Sequence, residues 1–283
     1  MKTYVLYNKK SDNKAGKNEA EQLREIWKNR QLEFVDAVSL EDYAGFFAAL
    51  EPDDEVCLCG GDGTLNYFIN HVDADSFKNN LYYYPTGSGN DFWNDFGKKK
   101  GDAPEAINKY VKNLPVVTVK GKTYKFINGV GYGIDGYCCE EGDRLRESSD
   151  KPINYTSIAI KGLLFHYKPT NAEVEVDGKK FRFNKAWLAP TMKGRFYGGG
   201  MMATPHQDRL DPERKVTCMV MNGAGKVHTL VAFPSIFKGE HVKKKIVKVM
   251  KGKNVRVKFD RPVAMQIDGE TILNVTEYSV ESK

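Results

Sequence analysis

The sequence predicts an N-terminal doubly wound α/β domain over residues 1–120, joined to a C-terminal β-sandwich domain over residues 121–283. Three observations carry this. Strand-like apolar runs alternate with helical stripes through the first domain, the pattern of βαβ units. The run Val56-Cys57-Leu58-Cys59 is apolar without alternation, as in a strand buried on both faces of a parallel sheet, and it breaks into Gly60-Gly61-Asp62-Gly63-Thr64-Leu65-Asn66. After about Gly121 the texture shifts to short strand-like runs punctuated by turns such as Asp177-Gly178 and Asn222-Gly223.

Taken in order, Thr3 to Tyr7 reads as the first strand, followed by a polar loop from Asn8 to Lys14 and a helix with Ala20, Leu23, Ile26 and Trp27 on one face. Leu32 to Val35 is a short second strand. A helix from Leu40 to Leu50 is expected to start at Ser39, with Asp42 three residues on as a capping-box variant. The strand before Gly60 comes next, then a helix striped by Leu65, Phe68 and Ile69. Leu81 to Tyr84 is a fourth strand, broken by a second glycine loop, Pro85-Thr86-Gly87-Ser88-Gly89-Asn90-Asp91-Phe92. A helix from Ala103 to Val111 and a strand near Val116 close the domain. In the second domain, strands are expected at Lys125 to Asn128, Glu173 to Val176, Lys180 to Phe183, Lys215 to Met221 and Asn254 to Phe259. One helical interruption runs from about Asn154 to Phe165.

With 283 residues and 41% hydrophobic content the chain can build ample core. It has no apolar run of about 18 residues and enters a strand at once, so neither a membrane span nor a signal peptide is expected. Five cysteines, with no zinc-type spacing, point to reduced thiols and a cytoplasmic location. The net charge of +6 is unevenly placed: Lys226 to Lys258 holds ten Lys or Arg against one acid, Glu240. Such a patch suits anionic lipid head groups better than nucleic acid, and any single lysine in it also suits a solvated edge strand.

A strand, a glycine turn and a helix bring bare backbone N–H groups to the positive end of a helix dipole, which is a site for phosphate. In that setting Asp62 is a partner for a cation escorting a phosphate. The alternative is a tight βα turn with Thr64 as N-cap. Asp91, in the second loop, repeats the pairing of glycines with an acid.

These two loops resemble the catalytic domain of the diacylglycerol kinase family, nearer its soluble bacterial lipid kinases, with sphingosine and ceramide kinases as relatives. The resemblance continues, in the family's order, through Phe126-Ile127-Asn128-Gly129-Val130-Gly131-Tyr132-Gly133-Ile134-Asp135, Tyr197-Gly198-Gly199-Gly200-Met201, Ala203-Thr204-Pro205, Phe233-Pro234, Lys238-Gly239-Glu240-His241 and Ile267-Asp268-Gly269-Glu270. It implies a nucleotide-binding α/β domain and a β-sandwich with the active site in the cleft between them. It also implies transfer of the γ-phosphoryl of ATP to a hydroxyl of a membrane lipid such as diacylglycerol. Asn8, Gly60, Gly61, Asp62, Gly63, Thr64, Asn66 and Ser88 would hold ATP. Asp62, Asp91 and Asp135 would surround the catalytic Mg²⁺ through water, and Glu270 would take the proton from the attacking hydroxyl. Asp208 and Asp211 stand where relatives hold a structural metal. Transient peripheral contact with the inner face of the membrane and, by analogy, a homodimer follow. Four departures from the family pattern are Tyr67 after Asn66, Asn8-Lys9, Trp93-Asn94 and Asp211-Pro212. The alternatives are an NAD kinase, which shares the first glycine turn, and a non-catalytic nucleotide- or lipid-binding regulator.

Overall fold

The computed structural model describes residues 1–8, 16–87, 89–148 and 155–283, and the chain divides into two compact units, Met1–Leu114 and Pro115–Lys283. In the first, β1 (Thr3–Tyr7), β2 (Leu32–Asp36), β3 (Glu55–Gly60) and β4 (Asn80–Pro85) are parallel. A short β5 (Glu105–Ala106) runs antiparallel at the edge, giving the order β2-β1-β3-β4-β5. The order reverses between β1 and β3, the switch point at which an open α/β sheet leaves a crevice outside its strand ends. Register sets Tyr7 opposite Asp36 and Cys59, and Gly60 opposite Pro85, so the loops after β1, β3 and β4 leave from the same edge.

β3 is buried along its whole length. Cys57 and Cys59 face a core of Val5, Ala20, Leu23 and Tyr84, and alternation sends the equally buried Val56 and Leu58 to the opposite face. All five cysteines are free. The helices are α1 (Gly16–Glu21), α2 (Leu23–Ile26), α3 (Tyr43–Ala48), α4 (Asp62–His71) and α5 (Asp91–Asn94). Leu65, Phe68 and Ile69 are the buried stripe of α4, as the spacing predicts.

Two local expectations fail. α3 is capped by Asp42, whose carboxylate accepts from Gly45 N at 2.8 Å, while Ser39 ends a separate 3-10 turn, Ala37–Ser39. The segment expected as a helix from Ala103 to Val111 instead pairs with the open edge of β4. Ile107 N donates to Leu81 O at 2.8 Å and Asn108 Oδ1 accepts from Leu81 N at 2.9 Å, so edge bonding outcompetes helix formation.

The second unit begins earlier than residue 121, because β6 (Val116–Val119) pairs with β7 (Lys122–Lys125) and with the final strand. The other strands are β8 (Gly129–Tyr132), β9 (Thr170–Val176), β10 (Lys179–Ala186), β11 (Thr191–Met192), β12 (Val216–Met221), β13 (Val247–Gly252), β14 (Asn254–Ile267) and β15 (Glu270–Glu281). Their antiparallel ladder runs β13-β12-β11-β8-β14-β15-β6-β7, with β9 joining β10 to β14. β14 pairs with β9 over Val255 to Phe259 and with β8 over Met265 to Ile267, and its register with β15 shifts twice between Lys258 and Met265. A strand that changes partners at bulges turns a corner between packed layers. The core includes Tyr132 stacked on Phe259 at 4.0 Å, with Trp187 and Tyr278 fully buried.

Three helices interrupt the strands: α6 (Ile134–Ser148), α7 (Tyr155–Lys161, widening into a π turn at Gly162–His166) and α8 (Lys226–Ala232). Only α7 was expected, and Asn154, its expected start, lies outside the described residues. α6 packs on β14 so closely that a Cβ on Gly136 would lie 2.0 Å from Ala264 O. Among the described residues, no helix is long and apolar enough to cross a membrane.

Candidate functional site

In the first unit the loops after β3 and β4 interlock. Gly60 O accepts from Thr86 N at 3.0 Å and from the Tyr83 hydroxyl at 2.9 Å. A Cβ on Gly87 would stand 2.6 Å from Gly61 Cα, and one on Gly60 would stand 2.0 Å from Thr64 Oγ1. Glycine is therefore required at both positions by close approach, in one case backbone against backbone. Gly61 is the N-cap of α4 and contributes no side-chain cap; its carbonyl accepts from Thr64 N at 3.0 Å, and the first turn carries the positive end of the helix dipole.

Asp62 ties the two loops together. Its Oδ2 accepts from Asp91 N at 2.8 Å and its Oδ1 from Phe92 N at 2.9 Å, so it closes the start of α5. Asp91 is buried just beyond. Asn90 sits in the left-handed region at φ 48° and donates from Nδ2 to Gly87 O at 2.5 Å, while its Oδ1 is buried without a partner. Asn8 follows β1 at the same sheet edge. Asn66 lies on α4 within 3.5 Å of Asn70 Nδ2. Tyr67, the departure beside it, stacks on His71 at 3.8 Å and meets Tyr43 edge-on at 5.0 Å. Ser88 lies outside the described residues.

In the second unit Asp135 opens α6 immediately after β8. Its Oδ1 accepts from Gly136 N at 3.0 Å, whereas Oδ2 and the Tyr197 hydroxyl are both buried and interact with one another. Burial pushes the Asp135 carboxyl up to about 6, opposed by the Gly136 amide and by Tyr197. Tyr197 is held by a closed turn in which Tyr197 and Met201 exchange backbone hydrogen bonds of 3.1 and 3.0 Å. Gly198, Gly199 and Gly200 between them all have positive φ, at 62°, 80° and 106°, which explains three glycines in a row.

Asp135 and Gln266 both crowd Gly131, and Gln266 holds the turn before Glu270. A Cβ on Gly131 would fall 2.4 Å from both Asp135 Oδ2 and Gln266 Nε2, and Gln266 Oε1 accepts from Gly269 N at 2.7 Å. Asp268 and Gly269, at φ 47° and 99°, form the two-residue turn that presents the exposed Glu270 at the start of β15. Next to Glu270, Thr271 Oγ1 donates to Asp143 Oδ2 of α6 at 2.6 Å.

Sequence reasoning missed the residue that holds this turn. The buried Asp268 carboxylate accepts from Ile127 N at 2.7 Å, Asn128 N at 2.8 Å and Gly129 N at 2.9 Å. The buried Arg209 guanidinium donates to Ile127 O and to Asn128 Oδ1, completing a network around the same loop. An Asp before Gly in a hairpin looks like an ordinary turn residue, so only its place beside Glu270 pointed to it. Arg209, in a polar loop, carried no signal at all.

Two expected groupings are not metal cages. Among the described residues, no three His, Cys, Asp or Glu side chains lie together as ligands for an ion. Asp208 Oδ1 accepts from Leu210 N and Asp211 Oδ1 from Glu213 N, both at 2.8 Å, and the other Asp211 oxygen pairs with the Lys251 ammonium. Partial burial raises Asp211, but Lys251 and the Glu213 amide outweigh it and hold the carboxyl below the usual range. Nearby, the buried Lys193 has its pKa lowered by burial and by Arg209. Protein cations already neutralise this loop, and the donor set does not fit a structural metal. His241 is a core residue, with Nε2 2.9 Å from Ala203 O.

Comparison with known proteins finds two family models along the chain. Residues 2–119 match the diacylglycerol kinase catalytic domain, and residues 128–279 match a domain described as the YegS C-terminal NAD kinase beta sandwich-like domain. A catalytic α/β domain followed by this sandwich defines a class of kinase-type transferases. The chain belongs to the diacylglycerol kinase-like family of lipid kinases. Similar proteins include a diacylglycerol kinase of Bacillus subtilis, 26% identical over 236 residues that cover 79% of this chain and 73% of the relative. Another, from Mycobacterium tuberculosis, is 26% identical over 211 residues, covering 72% and 66%. A solved diacylglycerol kinase structure from Bacillus anthracis shares the fold, with TM-score 0.62 at 16% identity over 99% of this chain and 93% of that one.

Proposed function

We propose that the chain transfers the γ-phosphoryl group of ATP to a hydroxyl of a membrane lipid such as diacylglycerol, working with Mg²⁺ from the cytoplasmic face of the membrane. The observation that carries the reading is the interlocked pair of glycine loops at the carboxyl ends of β3 and β4. Glycine lets the two loops approach backbone against backbone, and α4 brings the positive end of its dipole to the same place. This cradle fits a polyphosphate.

Phosphoryl transfer asks mainly for alignment and charge neutralisation. The N-terminal end of α4 would face phosphate oxygens with the positive end of its dipole, without adding a charge. Asp62 keeps the two loops in register through Asp91 N and Phe92 N, so its carboxylate is first a positioning group. Mg²⁺ prefers to keep water ligands, and when bound it would supply neutralisation of phosphate charge; Asp62 and Asp91, the acids of the two glycine loops, would hold those waters. Glu270, exposed on a turn braced by Asp268, accepts the proton of the attacking hydroxyl.

Purified chain with γ-labelled ATP, Mg²⁺ and a lipid panel should label diacylglycerol or another lipid alcohol. Glu270→Gln should lower kcat by about 10²- to 10⁴-fold with the KM for ATP unchanged. A folded chain that binds ATP and labels no lipid hydroxyl would overturn the proposal.

A further inference from the structure

We propose that an apolar face ringed by lysines on the second unit, built by α7 with its π turn and by α8, docks on an anionic lipid bilayer. The inference deepens the lipid-kinase reading, on which its purpose rests. Phe165 is 72% exposed, Val227 72%, Val231 75% and Ile160 42%. Single exposed apolar residues are ordinary, but these are grouped. Lys226 Nζ donates to Leu164 O at 2.9 Å, which fastens the start of α8 to the π turn beside Phe165. Val227 and Val231 stand four apart on α8, whose inner side buries Thr229 and Ala232. α7 and its π turn likewise bury Ala159 and Leu163. Each segment is therefore anchored by one face and offers the other.

Charge selects the occupant. Lys161 and Lys226 are exposed on these segments, Lys168 just after the π turn and Lys238 at the end of the 3-10 turn Phe233–Lys238 that follows α8, and residues 155–168 contain no acid. Lys243 to Lys245 extend the exposed positive charge, with Glu240 the one acid from Lys226 to Lys258. Phe and Val side chains at the level of the acyl boundary, with lysines among phosphate head groups, are the chemistry of an interfacial anchor.

The test is co-sedimentation of the full chain, without ATP, with vesicles of phosphatidylcholine alone or mixed with phosphatidylglycerol. Binding is expected to the anionic vesicles only, and to weaken with salt. The triple variant Phe165→Ser, Val227→Ser, Val231→Ser should bind at least about tenfold more weakly, with unchanged circular dichroism and melting. Lys161→Glu and Lys238→Glu should each cost about fivefold or more. The triple variant should still phosphorylate a short-chain, monomeric diacylglycerol, whereas Glu270→Gln should bind vesicles and phosphorylate nothing, so docking and catalysis fail separately. A triple variant that binds like the parent would overturn the inference, as would a parent indifferent to phosphatidylglycerol. So would a parent dimer that the triple variant splits with vesicle binding intact, because that face would then join two copies of the chain.

Discussion

Asp135→Asn should stabilise the protein above neutrality and do little in acid. The carboxyl stands at about 6 in the folded chain against an ordinary 3.8, chiefly because it is buried. A group whose pKa is raised on folding contributes fully below its unfolded value and loses that contribution as pH rises through the folded one. Asp135 is therefore neutral and harmless below about pH 4 and a buried, poorly solvated charge above about pH 6. The displacement from 3.8 to about 6 corresponds to about 3 kcal/mol at full ionisation. Asn has the same shape, keeps an acceptor for Gly136 N and offers an amide toward the buried Tyr197 hydroxyl. Denaturant unfolding of parent and variant in EDTA, from about pH 4.5 to pH 8, should show a gain that opens between pH 4 and 7. It should level off at or below about 3 kcal/mol, since relaxation and water entry reduce the cost. A difference that is constant with pH, or largest in acid, would refute the assignment of burial as the cause. The same variant should lose lipid phosphorylation, because the role that the family resemblance implies for Asp135 uses the ionised form.

Two further outcomes are expected. Asp268→Ala leaves three buried N–H groups without their acceptor and should cost about 3–5 kcal/mol in denaturant unfolding; a loss under about 1 kcal/mol would mean that the loop 127–129 is held by other means. The melting temperature of the parent should not move between EDTA and millimolar Mg²⁺ or Ca²⁺, because Lys251 already neutralises Asp211. Lys251→Met should melt lower, and a parent that melts lower in EDTA would restore the structural metal.

The parallel sheet was legible because β3 is uniformly apolar and each glycine loop interrupts a strand where the periodicity changes. In the second unit β9, β10, β12 and the start of β14 were legible, β9 from its period of two, whereas the strand expected at Lys125 to Asn128 falls largely on the link between β7 and β8, where Asp268 takes the amides. α6 was not, and its burial explains why: the positions it turns inward are Ile134, Asp135, Cys138 and Gly142, which give no apolar stripe. The helix is held instead by backbone contact at Gly136. The segment 103–111 failed for the opposite reason, since the unpaired edge of β4 captured it and no local pattern announces a distant edge.

By itself, the sequence determined β1 to β4, the helix after β3 and the two glycine loops with Asp62 and Asp91, because periodicity, glycine and charge are local properties; Asp135 and Glu270 were singled out through the family resemblance. Only the tertiary structure decided what those acids do with their oxygens. It spent both of Asp62's on the second loop, left Asp135 Oδ2 buried beside Tyr197, and gave Asp211 a lysine in place of a metal. Hydrogen-bond and charge partners far apart in the chain are chosen by packing, and a spacing rule carries no trace of them.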